Sequence, residues 1–376
     1  MFERIKYMLF KEFIQIFRDP RMKFVIFVAP VVQVLVFGYA ATNDIRQVPI
    51  AVYDLDNSVT SRELIARFVR SGYFNIVTFV QDERHATTLI DRDKIRAVLR
   101  MNKGFEEDVG AGRTAQLQVI VDGTDSNMAG IVLNYSTRIV EQFSQEILTT
   151  RLMRLQGPVR TPGQIEVQTR TWFNENLESR NFYVPAIIAN LVLLMTMLLT
   201  SMAVVREKEI GTLEQILVTP ITPVEFILGK TTPFILIGFA NVSLITGVGV
   251  FWFKVPIRGS LILLFFATAL YLMTTLGVGL LISTISQTQQ QAMMSSFFFT
   301  FPAMLLSGFM FPITSMPQVI QWLTYLNPLR YFLVIIRGIF LKGVGVSILW
   351  PQMVVLALIG LTVLGLASRR FQKTLT

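Results

Sequence analysis

The sequence predicts a membrane all-α bundle of six spans with an α/β domain inserted on the extracytoplasmic side between spans 1 and 2. Three observations predict it. Six long segments contain no Asp, Glu, Lys, Arg or His: Phe24 to Ala41, Val184 to Val205, Thr231 to Phe253, Leu261 to Ser286, Ala292 to Phe311 and Leu349 to Ala367. Each approaches or exceeds the ~20 residues needed to cross a bilayer. A polar stretch of about 140 residues, Thr42 to Arg180, separates the first two and is long enough to form its own core. Basic residues flank the ends that a six-span topology leaves on one side: Arg4, Lys6, Lys11, Arg18, Arg21 and Lys23 before the first span, Arg206, Lys208 and Lys230 around the loop after the second, and Arg369, Arg370 and Lys373 after the last. By the positive-inside rule both termini are then cytoplasmic.

Composition excludes several classes. The chain is 52% hydrophobic with 30 Phe and a mean hydropathy of +0.53, too apolar for an ordinary soluble domain. The net charge of +9 is spent on membrane flanks, so nucleic acid is not an expected partner. The absence of cysteine excludes disulfides, thiolate metal sites and cysteine nucleophiles. Ion-driven carriers place ionisable side chains at membrane depth; the six segments have none, so energy for any transport comes from elsewhere.

In chain order, residues 1–22 form an interfacial amphipathic helix with Phe2, Ile5, Leu9, Phe13 and Ile16 on one stripe and Arg4, Lys11, Glu12 and Arg18 off it. Its apolar side faces lipid or the protein's own core, and the two are compatible. Asp19-Pro20 ends it. Span 1 (23–41) is an uncleaved anchor; Gly38-Tyr39-Ala40 would suit a signal peptidase, but the preceding segment is too long and too mixed in charge. In the external domain (42–182), strands are expected at Val48 to Tyr53, Phe74 to Val80, Ile95 to Met101 and Leu117 to Val121. A Thr60/Glu63 capping box starts a helix that Gly72 stops. A helix from Ser126 to Leu155, ~45 Å long at 1.5 Å per residue, ends at Gly157-Pro158, and a strand-like piece, Ile165 to Phe173, returns to the membrane. Spans 2–6 fill 183–376, with a cytoplasmic loop at 206–230 and an external re-entrant region at 312–348. Leu329 to Leu341 is too short for a seventh span and carries Arg330 and Arg337; Trp322, Tyr325 and Tyr331 suit headgroup depth.

No catalytic or metal constellation emerges. His85 sits on a solvated helix beside Glu83 and Arg84. Asp54, Asp56, Asp122 and Asp125 near strand ends could attract a cation, yet turn and cap chemistry accounts for them. Gly229-Lys230-Thr231 imitates a phosphate loop, but Val224 stands where its first glycine is required. The chain is therefore expected to have no ATP site of its own. The loop Arg206 to Pro220 has an apolar edge, Leu213, Ile216 and Leu217, beside Glu209 and Glu214. It is either a span extended into solvent or a knob for a soluble partner.

The pattern Glu209-x-Gly211-Thr212-x-Glu214 with Thr219-Pro220, the amphipathic start ending Arg18-Asp19-Pro20, the break Ser307-Gly308-Phe309-Met310-Phe311-Pro312, and Asn327-Pro328-Leu329-Arg330-Tyr331 together resemble the ABC-2 family of transporter permeases. Order, spacing and the large external domain are most similar to the bacterial multidrug-type exporter permeases of the YbhR, YbhS and YhhJ group. The resemblance implies a half-transporter in the bacterial inner membrane that pairs with a second permease copy, identical or sister. An ABC ATP-binding subunit drives it, and a periplasmic adaptor protein is a further expected partner. It assigns ATPase coupling to Glu207, Glu209, Gly211, Thr212, Glu214 and Pro220, secondary contacts to Lys11, Glu12 and Arg18, and an external gate to Ser307, Gly308, Pro312, Asn327, Pro328, Arg330 and Tyr331. The expected cargo is amphiphilic, drug-like or lipid. Gln33, Asn190, Thr196, Thr200, Asn241, Ser295, Ser296 and Thr300 line the path or join helices, and Gly277 and Gly279 favour close packing. Two rival readings are a membrane-anchored receptor acting through the external domain and a channel or secondary carrier.

Overall fold

A computed structural model of the chain describes residues 2–40, 47–156, 172–174, 178–211 and 223–375. It divides into two compact units, Met1–Asn43 with Arg170–Thr376, and Asp44–Thr169.

The first unit is helical. Its elements are α1 (Phe2–Arg18) and α2 (Phe24–Ala40), the latter opening with a π-turn at Phe24–Val28. After the second unit come α7 (Ser179–Ile210), α8 (Pro223–Phe251), α9 (Leu261–Ile285), α10 (Gln289–Leu305), α11 (Gln318–Leu323), α12 (Pro328–Arg337) and α13 (Val346–Leu375). Four helices, Ser179–Ile210, Leu228–Phe251, Leu261–Ile285 and Val346–Arg370, are long and apolar enough to cross a membrane, and a fifth if the bent pair Gln318–Leu326 and Pro328–Lys342 counts as one span. The two remaining apolar segments form shorter helices of 17 residues each, Phe24–Ala40 and Gln289–Leu305. α10 stops short of the Phe311 that apolarity alone would reach. Ser307 Oγ donates to Met304 O (2.6 Å) and Gly308 adopts φ +81°, a left-handed conformation that ends the helix.

α7 is the centre of this bundle: 72% of its most apolar window is buried, against 22% for the peripheral α13. It packs against α2, α8, α9, α10 and α12. Tyr271 of α9 stacks on Phe332 of α12 at 4.1 Å and donates to Ala189 O of α7 (3.2 Å), joining three helices. Small and hydroxylated residues form the seams. Thr196 donates to Thr275 (2.8 Å), and Ser201 lies 3.0 Å from Ser296. A Cβ on Gly279 would lie 2.9 Å from Met197 O, and one on Gly277 3.1 Å from Leu364 N. Two of the eight polar residues named as path or packing candidates, Thr196 and Ser296, thus join helices. Thr200 donates to Thr196 O and Thr300 to Ser296 O within their helices, the local satisfaction expected of hydroxyls among apolar neighbours. Gln33, Asn190 and Asn241 each bury one amide atom without a protein partner.

The second unit is α/β: β1 (Val48–Asp54), α3 (Val59–Arg70), β2 (Phe74–Phe79), α4 (Glu83–Asp91), β3 (Ala97–Met101), α5 (Phe105–Ala111), β4 (Leu117–Val121) and α6 (Ser126–Gln156). The sheet order is β2-β1-β3-β4, with β1 parallel to β2 and β3 and β4 antiparallel to β3. Strand alternation separates two cores. Val48, Ile50, Val52, Ala97, Leu99 and Met101 meet α3 and α6 on one face, while Ala51 and Val98 meet Ala86 of α4 on the other. The expected stop at Gly157-Pro158 and most of the strand-like piece at Ile165 to Phe173 lie outside the described residues.

Two local expectations need correction. The capping box of α3 is Ser58/Ser61, not Thr60/Glu63: Ser61 N donates to Ser58 Oγ (3.1 Å) and Ser58 N to Ser61 Oγ (3.0 Å). Asp54 Oδ2 accepts from Ser61 Oγ (2.6 Å) and anchors that arrangement, while Thr60 donates to Glu106 instead. The short α5 was not foreseen. Asp56 holds its start, accepting from the backbone N–H groups of Gly104 (2.8 Å), Phe105 (3.1 Å) and Glu106 (3.0 Å). The four acids near strand ends are all engaged in such bonds: Asp54 with Asp56 N and Asn57 N, Asp122 with Thr124 and Arg96, Asp125 with Met128 N. Among the described residues no group of three acidic or histidine side chains could hold a metal ion. His85 is exposed on α4.

Hydrogen bonds, first from Ser58 and then from the α5 backbone against a desolvation cost, hold the Asp56 carboxyl below its ordinary range. A depressed folded-state value means the stabilisation is complete above the unfolded carboxylate pKa of ~4 and disappears as pH falls through the folded value. Asp56→Ala is expected to cost about 1–2 kcal/mol and to accelerate amide exchange at Gly104 to Glu106 at pH 7; unchanged exchange would show that the cap is dispensable. Gly279→Leu, which drives a side chain into the α7 backbone, is expected to cost about 1–3 kcal/mol, read as a lower unfolding midpoint in detergent.

Candidate functional site

Several of the sequence-named residues around the 206–230 loop and in α1 converge on one buried cluster. Lys230, near the start of α8 and 2% exposed, donates to Glu12 Oε1 of α1 (2.6 Å) and to Glu207 Oε1 of α7 (2.8 Å). Lys11 of α1 also donates to Glu207 Oε1 (3.1 Å) from the solvent side. Among the described residues, two cations and two carboxylates thus form a neutral group joining α1, α7 and α8. Buried carboxylates are tolerated only when so paired and hydrogen-bonded. Packing brings the helices close enough for it: a Cβ on Gly229 would lie 3.0 Å from Met8 of α1, and Ile16 is buried in the bundle core.

The opposite side of the α7 terminus is also tied down. Lys208 Nζ donates to Ser286 O (3.3 Å), and Glu209 Oε2 accepts from Gln289 Nε2 (2.8 Å) and N (3.3 Å) at the start of α10. Gly211, at φ +82°, caps α7. The last turn of α7 is therefore clamped between α1 and α8 on one side and the α9–α10 turn on the other. Residues 212–222, which include Thr212, Glu214 and Pro220, lie outside the described residues. Lys230 lies within α8 with its ammonium committed to two carboxylates, so the phosphate-loop resemblance of Gly229-Lys230-Thr231 has no phosphate-binding geometry behind it.

Sequence reasoning named Glu12 and Glu207 but placed Glu12 off the apolar stripe of α1, and read Lys230 as a flanking charge and as part of a rejected phosphate-loop imitation. Glu12 stands three residues after Leu9 and four before Ile16, on the stripe itself. A carboxylate there was the available sign of a buried cation opposite. Of the predicted apolar stripe, Ile16 is in the core and Leu9 and Phe13 are half-buried, whereas the exposed apolar residues Tyr7, Phe10, Ile14 and Phe17 lie off that stripe.

The second named group forms two local clusters. At the bend of 82° between the 318–326 and 328–342 helices, Asn327 Oδ1 accepts from Leu329 N (3.1 Å), and its Nδ2 donates to Ala303 O of α10 (2.6 Å). Pro328 occupies the first helical turn, where no N–H is needed. Arg330 bonds Thr324 Oγ1 and stacks over Tyr325 at 4.1 Å, and Tyr331 donates to Tyr325 O (2.9 Å). The other cluster is the Ser307-Gly308 turn, where Arg337 donates to Gly308 O (3.4 Å) with its guanidinium 3.7 Å from the Phe182 ring centroid. Pro312 starts a single 3₁₀ turn, Ile313–Ser315. Arg18 ends α1 without joining the ionic cluster.

Removing one member of a buried pair strands its partner, at a cost of about 3–5 kcal/mol. Lys230→Met, which leaves Glu12 and Glu207 facing each other, is expected to lower the unfolding midpoint more than Lys11→Met. Equal midpoints for the two variants in a detergent melt would show that Lys230 is not the organising charge.

Residues 21–369 match the family described as ABC-2 family transporter protein. The chain is 35% identical over 364 residues to the probable multidrug ABC transporter permease YbhR of Escherichia coli K12, covering 96% of this chain and 97% of that protein. It is 34% identical over 345 residues to the probable multidrug ABC transporter permease YbhS of the same organism, 90% and 89% covered. With the inner membrane transport permease YhhJ it shares 30% identity over 332 residues, 87% and 86% covered. A family match over nearly the whole chain, on a helical frame with four helices long enough to span a membrane, leads to one conclusion: the chain belongs to the ABC-2 family of transporter proteins.

Proposed function

We propose that this chain is the membrane-spanning permease subunit of an ATP-driven exporter of the bacterial inner membrane. It crosses the bilayer six times with both termini inside, works as one of a pair of permeases, and moves amphiphilic drugs or lipids outward. The energy comes from ATP hydrolysed with Mg on a separate ABC subunit; an adaptor on the far side of the membrane completes the route.

The observation that carries this reading is the clamp on the last turn of α7. The Glu12–Lys230–Glu207 cluster and the Glu209–Gln289 bond tie α1, α7, α8 and α10 together at the root of the 212–222 loop. A partner that displaces this loop acts on four helices at once, because charges buried and paired at 2.6 to 2.8 Å resist separation. In this reading Glu209, Gly211, Thr212, Glu214 and Pro220 present the docking surface, and Glu207, Lys11 and Glu12 pass its movement to the spans. Arg18 supports the contact from the interfacial helix. At the other end, the Asn327–Ala303 bond and the Arg330–Tyr325 stack hold the bend of the 318–342 pair against α10, so a tilt of α10 moves the outer closure. Ser307, Gly308 and Pro312 supply the turn on which that closure pivots.

The test is purification of the tagged chain from its native membranes, with ATP hydrolysis measured on whatever accompanies it. A Mg-dependent ATPase is expected to co-purify and to be lost from a Glu209→Gln/Glu214→Gln double variant. Glu214→Lys is expected to reduce export at least about tenfold, roughly 1.4 kcal/mol of coupling, with the amount of protein in the membrane unchanged. A chain that purifies repeatedly without an ATPase in several mild detergents, or a Glu214→Lys variant that exports normally, overturns the reading.

A further inference from the structure

In the α/β unit, β4, α5 and α6 enclose a cleft of about 910 Å³, within the size range of small-molecule sites. Its floor is apolar, with Leu117 and Val119 of β4 facing Val140 and Leu148 of α6. Polar side chains, Gln116, Gln118, Thr137, Glu141 and Ser144 among them, also line it. Ser136 lines the cleft, is 2% exposed, and its Oγ has no hydrogen-bond partner. A buried hydroxyl left unpaired costs about 1–3 kcal/mol. Fifteen residues further along α6, ~22 Å at 1.5 Å per residue, Arg151 also lines the cleft. Its guanidinium packs against Gly112, where any side chain would collide with it.

The two arginines of this wall differ in charge balance. Arg113 is neutralised by Asp108 (2.7 Å) and Glu107 (3.2 Å), whereas no carboxylate among the described residues pairs with Arg151. Glu141, which also lines the cleft, stands ten residues earlier on the same helix, ~15 Å of helix rise from Arg151 and beyond the ~8 Å screening length at physiological salt. Arg151 thus makes one end of the cleft cationic, Val140 and Leu148 supply an apolar strip beside Glu141, and the far end holds the buried Ser136 hydroxyl.

We propose that this cleft binds an elongated anionic amphiphile. The anionic head lies against Arg151, the apolar body runs along α6 over Leu148 and Val140, and a hydrogen-bonding group in the body reaches Ser136. The assignment stands apart from the coupling reading, because binding here needs neither ATP nor a partner subunit.

The experiment uses the full chain in phosphatidylcholine nanodiscs, titrated with dansyl-undecanoic acid, whose carboxylate and sulfonamide lie at opposite ends of an alkyl chain. Saturable, blue-shifted emission above that of empty discs is expected. Arg151→Glu is expected to weaken it about tenfold or more, Arg151→Lys to retain most of it, and Ser136→Trp to abolish it by filling the cleft. The neutral amide of the probe is expected to bind about tenfold more weakly than the acid. Repeating the titration in discs containing phosphatidylglycerol separates two sources of the anion: displacement assigns the head to a lipid phosphate, and no displacement to a free carboxylate. Signal no greater than empty discs, equal binding to Arg151→Glu and the parent chain, or equal affinity for acid and amide overturns the proposal. The surface variants at Arg151 keep the test decisive if Ser136→Trp fails to fold.

Discussion

A lysine enclosed by two glutamates organises the end of the helical bundle where α1 joins α7 and α8. The electrostatics leave little freedom: an ammonium and two carboxylates removed from water are costly unless they stay within hydrogen-bond distance. Lys230, Glu12 and Glu207 come from three helices, so their mutual need fixes where those helices meet. The amphipathic α1 is thereby fastened to the bundle by charge as well as by the Met8–Gly229 approach and the burial of Ile16. The cluster also explains why α7 can be the most buried helix and still end in Arg206-Glu207-Lys208-Glu209. One of those charges is neutralised inward and the last accepts from the α10 start.

Above that junction the bundle relies on shape. Glycine lets α9 come against the α7 backbone, hydroxyls bond within or across the seams, and one tyrosine, Tyr271, ties α7, α9 and α12. Such contacts are cheap to rearrange in small steps because no ion pair must be broken between them. The stiff part of the membrane unit is its ionic base, and its smoother part is the helix contacts above. That distribution suits a device in which force enters at one end.

Much of this was readable from the residues alone. The apolar segments marked the helices because a bilayer demands long uncharged stretches, and β4 was found to the residue because Leu117, Val119 and Val121 alternate cleanly with Gln118. What escaped depended on partners distant in sequence. The α3 box shifted to Ser58/Ser61 because Asp54 claims the Ser61 hydroxyl. The α5 turn exists because Asp56 gathers three backbone N–H groups from a segment almost fifty positions away. Lys230 looked like one more basic flank until Glu12 and Glu207 were seen on either side of it. Hydropathy alone carried the apolar segment on to Phe311, but the break at Ser307-Gly308 was legible in its motif, and the left-handed Gly308 follows the end of α10 at Leu305. Thr212, Glu214 and Pro220 rest on their sequence pattern alone.

The neutrality of the buried cluster has a practical consequence. Two lysines and two glutamates cancel, and the pairs at its centre are shielded from solvent, so mobile ions have little to screen. The carboxylate of Glu209, exposed at the end of α7 and proposed to meet a partner, is in the opposite position. High-salt washing should therefore strip a peripheral subunit while leaving the permease's own junction closed, which makes ionic strength a means of separating the assembly from the fold.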